Sequence, residues 1–267
     1  MKSYKLLPYL MGLLLLASCS DDDQDPTPDA ANCLPTKIVN TTDGETEEST
    51  LTYDAQGRIT KASLSGGEME GDVFVQYTNN LPTSADLKSG SFTFGSFTYD
   101  YDTQNRLTKL TTEIAVMSLK LETTFEYNAQ NKIGKAVEYS YFNLDGEEEP
   151  MEIFSQYTTF TYDAKGNITK KSVYEGETEE EATLSYTVDY TYDNAPNPGA
   201  KAEILLTGYS TPNNVKTASH KYADGEEDET LSYSVAYVYN ASGLPTKATE
   251  TTKSGSASVS NITYSCK

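Results

Sequence analysis

A nine-residue pattern that recurs along the chain constrains the fold more than any other feature of the sequence. It opens with Tyr and then Asp or Asn, and it places Gly or Asn four residues after the Tyr. Asp and Asn side chains can accept a hydrogen bond from the backbone two residues on, and Gly and Asn tolerate a positive φ. Each copy therefore predicts a three-residue hairpin loop with a bulge. The copies begin at Tyr53, Tyr101, Tyr127, Tyr162 and Tyr239.

Alternating apolar and polar residues between these corners predict strands with one buried and one solvated face. The alternation is clearest in segments 119–127 and 184–192 and in a third segment that begins at Leu231 and ends at Tyr239. A repeated hairpin corner joins consecutive strands. We therefore expect an all-β fold: an antiparallel up-and-down meander of about 14–16 strands, closed or nearly closed into a barrel, with one short helical insertion.

The insertion lies between residues 193 and 213, where an Asn- and Pro-rich stretch interrupts the repeat. Ala202, Leu205, Leu206 and Tyr209 follow at spacings that suit a short helix better than a strand. An apolar helix inserted at one end of a meander must cover something. We expect it to cap or plug the end that carries the Tyr-Asp corners.

A second set of turns, rich in Gly and Glu, alternates with the Tyr-Asp corners. Alternate turns of a meander lie at opposite ends, so one end of the barrel should be crowded with carboxylates. These turns are interpreted as solvating caps, with a cation or basic-ligand site as the alternative, although their spacing matches no calcium loop. The turns are Asp43-Gly44-Glu45, Gly66-Gly67-Glu68, Asp145-Gly146-Glu147, Glu175-Gly176-Glu177 and Asp224-Gly225-Glu226.

The first residues predict an exported protein. A basic start at Lys2 and Lys5 precedes a short apolar run and small residues before Cys19, which is typical of a signal peptide over residues 1–18. Leu16-Ala17-Ser18-Cys19 resembles the bacterial lipobox, which implies cleavage before Cys19 and lipidation of its thiol. An ordinary signal peptide followed by a chance cysteine is the alternative.

The next residues, Ser20-Asp21-Asp22-Asp23, resemble the export signal of surface-exposed Bacteroidetes lipoproteins. The resemblance implies an outer-membrane, lipid-anchored protein exposed at the cell surface, and a periplasmic location is the alternative. Residues 19–32 are expected to form a lipidated, disordered acidic tether, and residues 33–267 a single β-meander barrel domain. Without Lys2 and Lys5 the chain carries a net charge of −22, which disfavours nucleic acids and anionic membrane surfaces as partners.

Cys33 and Cys266 remain as an even pair in an exported chain, which predicts a disulfide. Cys33 aligns with the left-handed Gly243 of the last corner, and Cys266 aligns with the first loop position of a corner. The pair therefore looks like one more corner, split by the chain termini, and a bridge there would close the meander into a barrel. Two free thiols, or a bridge between non-adjacent strands, are the alternatives.

Two resemblances support this architecture. The corner at Tyr53 resembles the tyrosine-aspartate repeats of Rhs-type proteins, although the period here is longer and irregular. The lipobox, the acidic tether, the Cys33-Leu34-Pro35-Thr36 strand start and the Asn-Pro insertion together resemble a family of Bacteroidetes lipoproteins of unknown function with a porin-like fold. The resemblance implies a barrel and carries no activity.

No motif predicts catalysis. His220 is the sole histidine, and we interpret it as a strand-face residue without a catalytic task. No phosphate loop and no zinc-ligand cluster is present, so no cofactor and no metal are expected. We expect a monomeric, non-catalytic binding module for a glycan or peptide ligand. The alternatives are a structural scaffold of an outer-membrane complex and, less favoured, a membrane pore, which would require the strand tyrosines to point outward.

Overall fold

The computed structural model describes residues 32–67, 70–142 and 151–266. Within these segments sixteen antiparallel strands form one closed barrel, in which each strand pairs with the next and β1 pairs with β16. The predicted fold class is confirmed. The strands are β1 (Cys33–Thr42), β2 (Glu45–Tyr53), β3 (Ile59–Ser65), β4 (Gly71–Thr78), β5 (Leu81–Ser89), β6 (Phe92–Tyr101), β7 (Leu107–Ile114), β8 (Leu119–Tyr127), β9 (Ile133–Phe142), β10 (Met151–Tyr162), β11 (Ile168–Glu175), β12 (Thr183–Pro196), β13 (Asn213–Tyr222), β14 (Tyr233–Tyr239), β15 (Pro245–Thr252) and β16 (Ala257–Cys266).

The Tyr-Asp corners have the predicted loop geometry. At the first corner the Asp54 carboxylate accepts hydrogen bonds from the backbone N–H groups of Gln56 and Arg58, at 2.9 and 3.0 Å. Gly57 then takes a positive φ of 71°, and the strand register shifts beside Tyr53. The other corners repeat this conformation with positive φ at Asn105, Asn131, Gly166 and Gly243.

Tyrosines near the ends of the even-numbered strands, among them those that open the first four corners, link neighbouring strands. In every even-numbered strand one tyrosine hydroxyl donates a hydrogen bond of 2.6–2.9 Å to a backbone carbonyl near the start of the preceding strand. We call these eight residues the tyrosine ring. The donor–acceptor pairs are Tyr53–Pro35, Tyr77–Ile59, Tyr101–Pro82, Tyr127–Leu107, Tyr162–Ile133, Tyr192–Ile168, Tyr237–Val215 and Tyr264–Pro245.

Most of the buried apolar side chains of the strands point into the barrel. Val75, Phe97, Leu110 and Phe160 come from distant strands yet belong to one buried cluster, which also contains Leu205 from the insertion. The opposite face of the same strands carries ion pairs. Examples are Lys61–Asp72, Lys109–Glu122 and Lys170–Asp189.

The insertion forms the helix α1 (Ala200–Thr207), and it plugs the Tyr-Asp end as expected. The buried Leu205 packs in the barrel core, and its carbonyl accepts a hydrogen bond of 2.6 Å from the Tyr99 hydroxyl. Lys201 donates to the Gly57 carbonyl at 2.6 Å, which ties the helix to the first corner. No helix in the described segments is long and apolar enough to cross a membrane.

A disulfide joins Cys33 to Cys266 and confirms the predicted bridge. The two cysteines face each other in the ladder between β1 and β16, so the first and last strands are neighbours. The expected left-handed conformation of Cys33 is wrong, because strand pairing extends to the cysteine and holds it inside β1. The corner is therefore replaced by a cross-strand bridge.

A second correction concerns Leu231, which was expected to lie in the strand that ends at Tyr239. β14 begins only at Tyr233. The Asp228 carboxylate accepts hydrogen bonds from the backbone N–H groups of Thr230 and Leu231, which holds these residues in a turn instead of a ladder.

Several predictions fall outside the described residues. They are the signal peptide 1–18, the lipidation site Cys19, all but the last residue of the tether 19–32, Glu68 of the second acidic turn and the turn Asp145-Gly146-Glu147.

Candidate functional site

The interior of the barrel has two unlike sectors. From β3 to β10 many of the inward side chains belong to the buried apolar cluster described above. From β11 to β15 they include several tyrosines, together with a lysine, a histidine and a glutamate. These side chains point into a closed barrel and still retain accessible surface, so they are candidates for ligand contact. We call this set the tyrosine sector; it contains Lys171, Tyr186, Tyr190, Tyr233, Tyr237 and Glu250.

Lys171 is the cation of the tyrosine sector. It pairs with Phe160 on β10 and with Val188 on β12, which places it on the inner face. Its ammonium donates a hydrogen bond of 3.3 Å to the Tyr209 hydroxyl and lies 4.7 and 5.6 Å from the ring centroids of Tyr209 and Tyr190. Burial alone would lower the pKa of Lys171, but the tyrosine hydroxyls around it raise that pKa above its ordinary value.

Three inward carboxyl groups accompany this cation. Burial raises the pKa of Glu138, Glu203 and Glu250 above the ordinary value for glutamate. Glu203 on α1 accepts a hydrogen bond of 2.8 Å from the Asn197 side chain, and the charge of Lys171 partly offsets the increase in its pKa. The interior can thus offer both hydrogen-bond donors and acceptors to a polar ligand.

His220 lies on the inner face of β13 and is buried. Its ring stacks on Tyr186 at 4.4 Å and meets the edge of Tyr222 at 5.4 Å. The neighbouring Ser219 lies on the other face of the strand and donates a hydrogen bond of 2.7 Å to Glu227. The strand therefore directs the adjacent serine and histidine to opposite faces, and the two do not form a nucleophile–base pair.

The end opposite α1, here called the distal mouth, is apolar on one side. Leu119 pairs with Phe142, and Phe142 pairs with Met151, so all three share the inner face. Ile153 lies two residues further along β10. Phe142, Met151 and Ile153 are 36%, 44% and 40% exposed although they point inward. This part of the mouth is therefore open to solvent and presents apolar surface.

A groove of about 490 Å³ lies at the Tyr-Asp end of the barrel, between α1, the corner that begins at Tyr53 and the turn at Asn80. Arg58 lies in it, stacked 4.6 Å from the centroid of Tyr77. The guanidinium is already held by the Asp54 carboxylate and by Asn80, and Lys201 is held by the Gly57 carbonyl. The cations of this groove are thus engaged in holding the plug and the corners.

The acidic turns do not form a cation site in the part of the chain that the structure describes, where no group of three His, Cys, Asp or Glu residues could hold a metal ion. Two residues after the last such turn, hydrogen bonds from Thr230 and then Tyr222 lower the pKa of Asp228. These partners occupy the carboxylate oxygens that a cation would need.

Sequence reasoning did not single out Lys171 or the tyrosine sector. A signal existed in the paired Lys170-Lys171 of β11, since adjacent strand residues point to opposite faces. Lys170 forms an ion pair of 3.5 Å with Asp189 on the outer face, which leaves Lys171 on the same face as the buried Val173.

Comparisons with solved structures support the fold. A porin-like protein from Bacteroides vulgatus superposes with a TM-score of 0.58 at 12% identity, over 87% of this chain and 98% of that one. A porin-like protein from Bacteroides uniformis superposes with a TM-score of 0.53 at 13% identity, over 86% and 98% of the two chains. No protein-family model and no curated protein matches the sequence. At these identities the likeness shows the barrel fold alone.

Proposed function

We propose that this protein is a non-catalytic binding module that takes a glycan or peptide ligand into the lumen of its barrel. One observation carries the proposal: the tyrosine sector retains accessible surface inside a closed barrel, and α1 plugs the Tyr-Asp end of that barrel. Tyrosine offers an apolar face and a polar hydroxyl, a combination common at binding sites. Tyr190, Tyr233 and Tyr237 are spread over two strands, so a ligand there could contact several rings at once.

The predicted anchor fits this arrangement. Cys33 lies at the Tyr-Asp end, so a tether from a lipidated Cys19 would leave the barrel there, beside α1. The distal mouth would then face away from the membrane, where a ligand outside the cell could enter it. The cell-surface location is the favoured proposal, with the periplasm as the alternative.

The scaffold alternative would use the outer surface of the barrel. Its best support is an aromatic cluster on β9 to β11, where Tyr157 stacks on Tyr174 at 4.5 Å and Tyr139 meets Phe154 at 5.8 Å. Glu179, from the loop after β11, forms an ion pair with Lys135 beside this cluster. The loop therefore lies beside the outer-face aromatic cluster, where a partner would contact both the loop and the rings.

The pore alternative has the least support. A lipid-facing barrel surface needs an apolar band flanked by aromatic girdles, whereas the outer face here carries ion pairs such as Lys61–Asp72 and Lys170–Asp189. The tyrosine ring points inward, and α1 occupies one end of the lumen. We propose the protein as a monomeric barrel outside the bilayer, held to it by lipid.

The test uses the chain from residue 19 onward, with Cys19→Ser to prevent lipidation. Glycan and peptide libraries are screened by thermal shift, and the affinity of each hit is measured by calorimetry. Tyr190→Ala removes one ring from the tyrosine sector. The hit should bind at least tenfold more weakly to this variant than to the matched control Tyr157→Ala on the outer face. Equal losses, or a loss confined to Tyr157→Ala, would move the site outside the lumen and refute the proposal.

A further inference from the structure

The wall of the barrel has a gap beside the start of β10. β10 pairs with β9 from Met151 onward, but its ladder with β11 begins only at Tyr157. β11 ends at Glu175, one residue beyond the partner of Tyr157. No ladder pair and no other backbone–backbone hydrogen bond joins residues 151–156 to a described residue outside β9. This stretch of β10 is therefore a free strand edge above the end of β11, and we call the gap the rim notch.

The loop that follows β11 turns away from the rim notch. Its Glu179 forms an ion pair with Lys135, which pairs with Thr159 on the outer face of the barrel. Thr159 lies inside the ladder between β10 and β11, below the free edge. The loop is thus directed outward and toward the Tyr-Asp end, and the first three residues of β10 are exposed.

The free edge is only partly protected against the addition of a strand. Proline, charged side chains and bulges commonly blunt exposed edges. Here Pro150 precedes the edge, Glu152 is its single charged residue, and a bulge shifts the register only after Phe154. Before the bulge β10 pairs with β9 in regular register, and Met151 and Ile153 are 44% and 40% exposed on one face. A regular row of backbone donors and acceptors beside exposed apolar side chains suits recognition by strand addition.

The charge around the rim notch favours a basic partner. No Lys or Arg lies between residues 136 and 164 or between residues 172 and 200. The distal halves of the two hairpins that border the notch therefore contain carboxylates and no cation. Examples are Glu152 on the free edge, Glu175 at the end of β11 and Glu177 in the following loop. A basic segment would be attracted here, whereas a second copy of this chain, with twice as many acidic as basic residues, would be repelled.

We propose that the free edge of β10 docks an extended basic peptide, which adds to the barrel wall as a further strand in the rim notch. The peptide backbone would take the place that a longer β11 would have. Apolar side chains of the peptide would lie beside Met151 and Ile153, and its basic side chains would lie on the opposite face, beside Glu152. This inference goes beyond the proposed function, because the contact is with the backbone of the wall and not with the tyrosine sector.

The first test is calorimetry on the chain from residue 19 with Cys19→Ser, using the capped peptide Lys-Val-Lys-Val-Lys-Val. Two further peptides carry N-methyl groups on every valine or on every lysine. Since alternate N–H groups of a strand point to opposite sides, each methylated peptide blocks one of its two edges. One of them should bind at least tenfold more weakly, because it loses several backbone hydrogen bonds, and the other should keep its affinity. Equal affinities of the two methylated peptides would overturn the inference.

Hydrogen exchange then locates the contact. The amides of residues 151–156 that face the rim notch should exchange rapidly in the free chain and become protected when the peptide binds. Glu152→Lys should weaken the peptide at least threefold at low salt. The matched control is Glu113→Lys, which should leave the affinity unchanged, because Glu113 is exposed on the outer face and has ladder partners on both sides. The melting temperatures of the two variants are compared without peptide.

The outcomes separate this inference from the proposed function. Loss of peptide binding in Tyr190→Ala, with protection confined to the tyrosine sector, would overturn the inference and leave the proposed function standing. Slow exchange of residues 151–156 without peptide, or self-association of the free chain through them, would also overturn it. Edge-selective peptide binding that Tyr190→Ala leaves unchanged, with no ligand found for the lumen, would support the inference and count against the proposed function.

Discussion

Gly208 provides the sharpest test of how the plug is held. It follows α1 with φ at 81°, and a Cβ placed there would lie 2.5 Å from Phe125 Cζ and 2.9 Å from Leu107 Cδ2. Gly243, at the last Tyr-Asp corner, has φ at 74°, and a Cβ placed on it would have nothing within 4 Å. Alanine at either position would adopt the same disfavoured backbone conformation, and only alanine at Gly208 would also clash with the barrel wall.

The two substitutions therefore separate strain from overpacking. A positive φ costs an alanine about 1–2 kcal/mol, and overpacking a core adds about 1–3 kcal/mol. Gly208→Ala should thus lower the free energy of unfolding by about 2 kcal/mol more than Gly243→Ala. At about 2–4 °C per kcal/mol for a chain of this size, the two melting temperatures should differ by about 4–8 °C. Urea unfolding of both variants measures the two free energies of unfolding. Equal decreases would mean that the end of α1 at Gly208 does not pack against Phe125 and Leu107.

Three further perturbations address the closure, the ring and the acidic end. Replacing Cys33 and Cys266 by Ser should cost about 5 kcal/mol, because the bridge spans 233 residues of the unfolded chain; an unchanged urea midpoint would contradict this. Tyr101→Phe should cost about 1 kcal/mol, because the Pro82 carbonyl loses its donor, while the outer-face control Tyr157→Phe should unfold like the wild type. Hydrogen bonds from Lys253 and then Ser219 lower the pKa of Glu227 to about 2. Its stabilising contribution is therefore present above the ordinary glutamate pKa of about 4.5 and is lost as the pH falls toward 2. The difference in stability between wild type and Glu227→Gln should close over that range, and a constant difference would refute this assignment.

The features that could be predicted from sequence are those determined locally. The corner at Tyr53 follows from the hydrogen-bonding capacity of Asp54 and the freedom of Gly57, both within five residues. The closure of the barrel followed from the placement of Cys33 and Cys266 in the repeat. The plug was predicted because the insertion has the spacing of a short apolar helix, and such a helix at one end of a meander has to pack against other residues.

The features that sequence reasoning missed depend on register between distant strands. The tyrosine ring joins residues 18–29 positions apart, such as Tyr101 and Pro82, and the period-two pattern alone does not identify the acceptor. Lys171 was not singled out because its environment is built by Tyr190 and Tyr209, from a different strand and from the end of the insertion. Leu231 continues an alternating pattern, but its backbone N–H donates a hydrogen bond to the Asp228 carboxylate and therefore does not join the ladder.

The most direct test of lumen binding is a crystal structure of the chain bound to a ligand obtained from the screens. We predict ligand density inside the barrel, against Tyr190 and Lys171, with the free end of the ligand directed toward Met151 at the distal mouth. Density on the outer face beside Tyr157, or in the groove between α1 and Arg58, would contradict the claim that the lumen is the binding site.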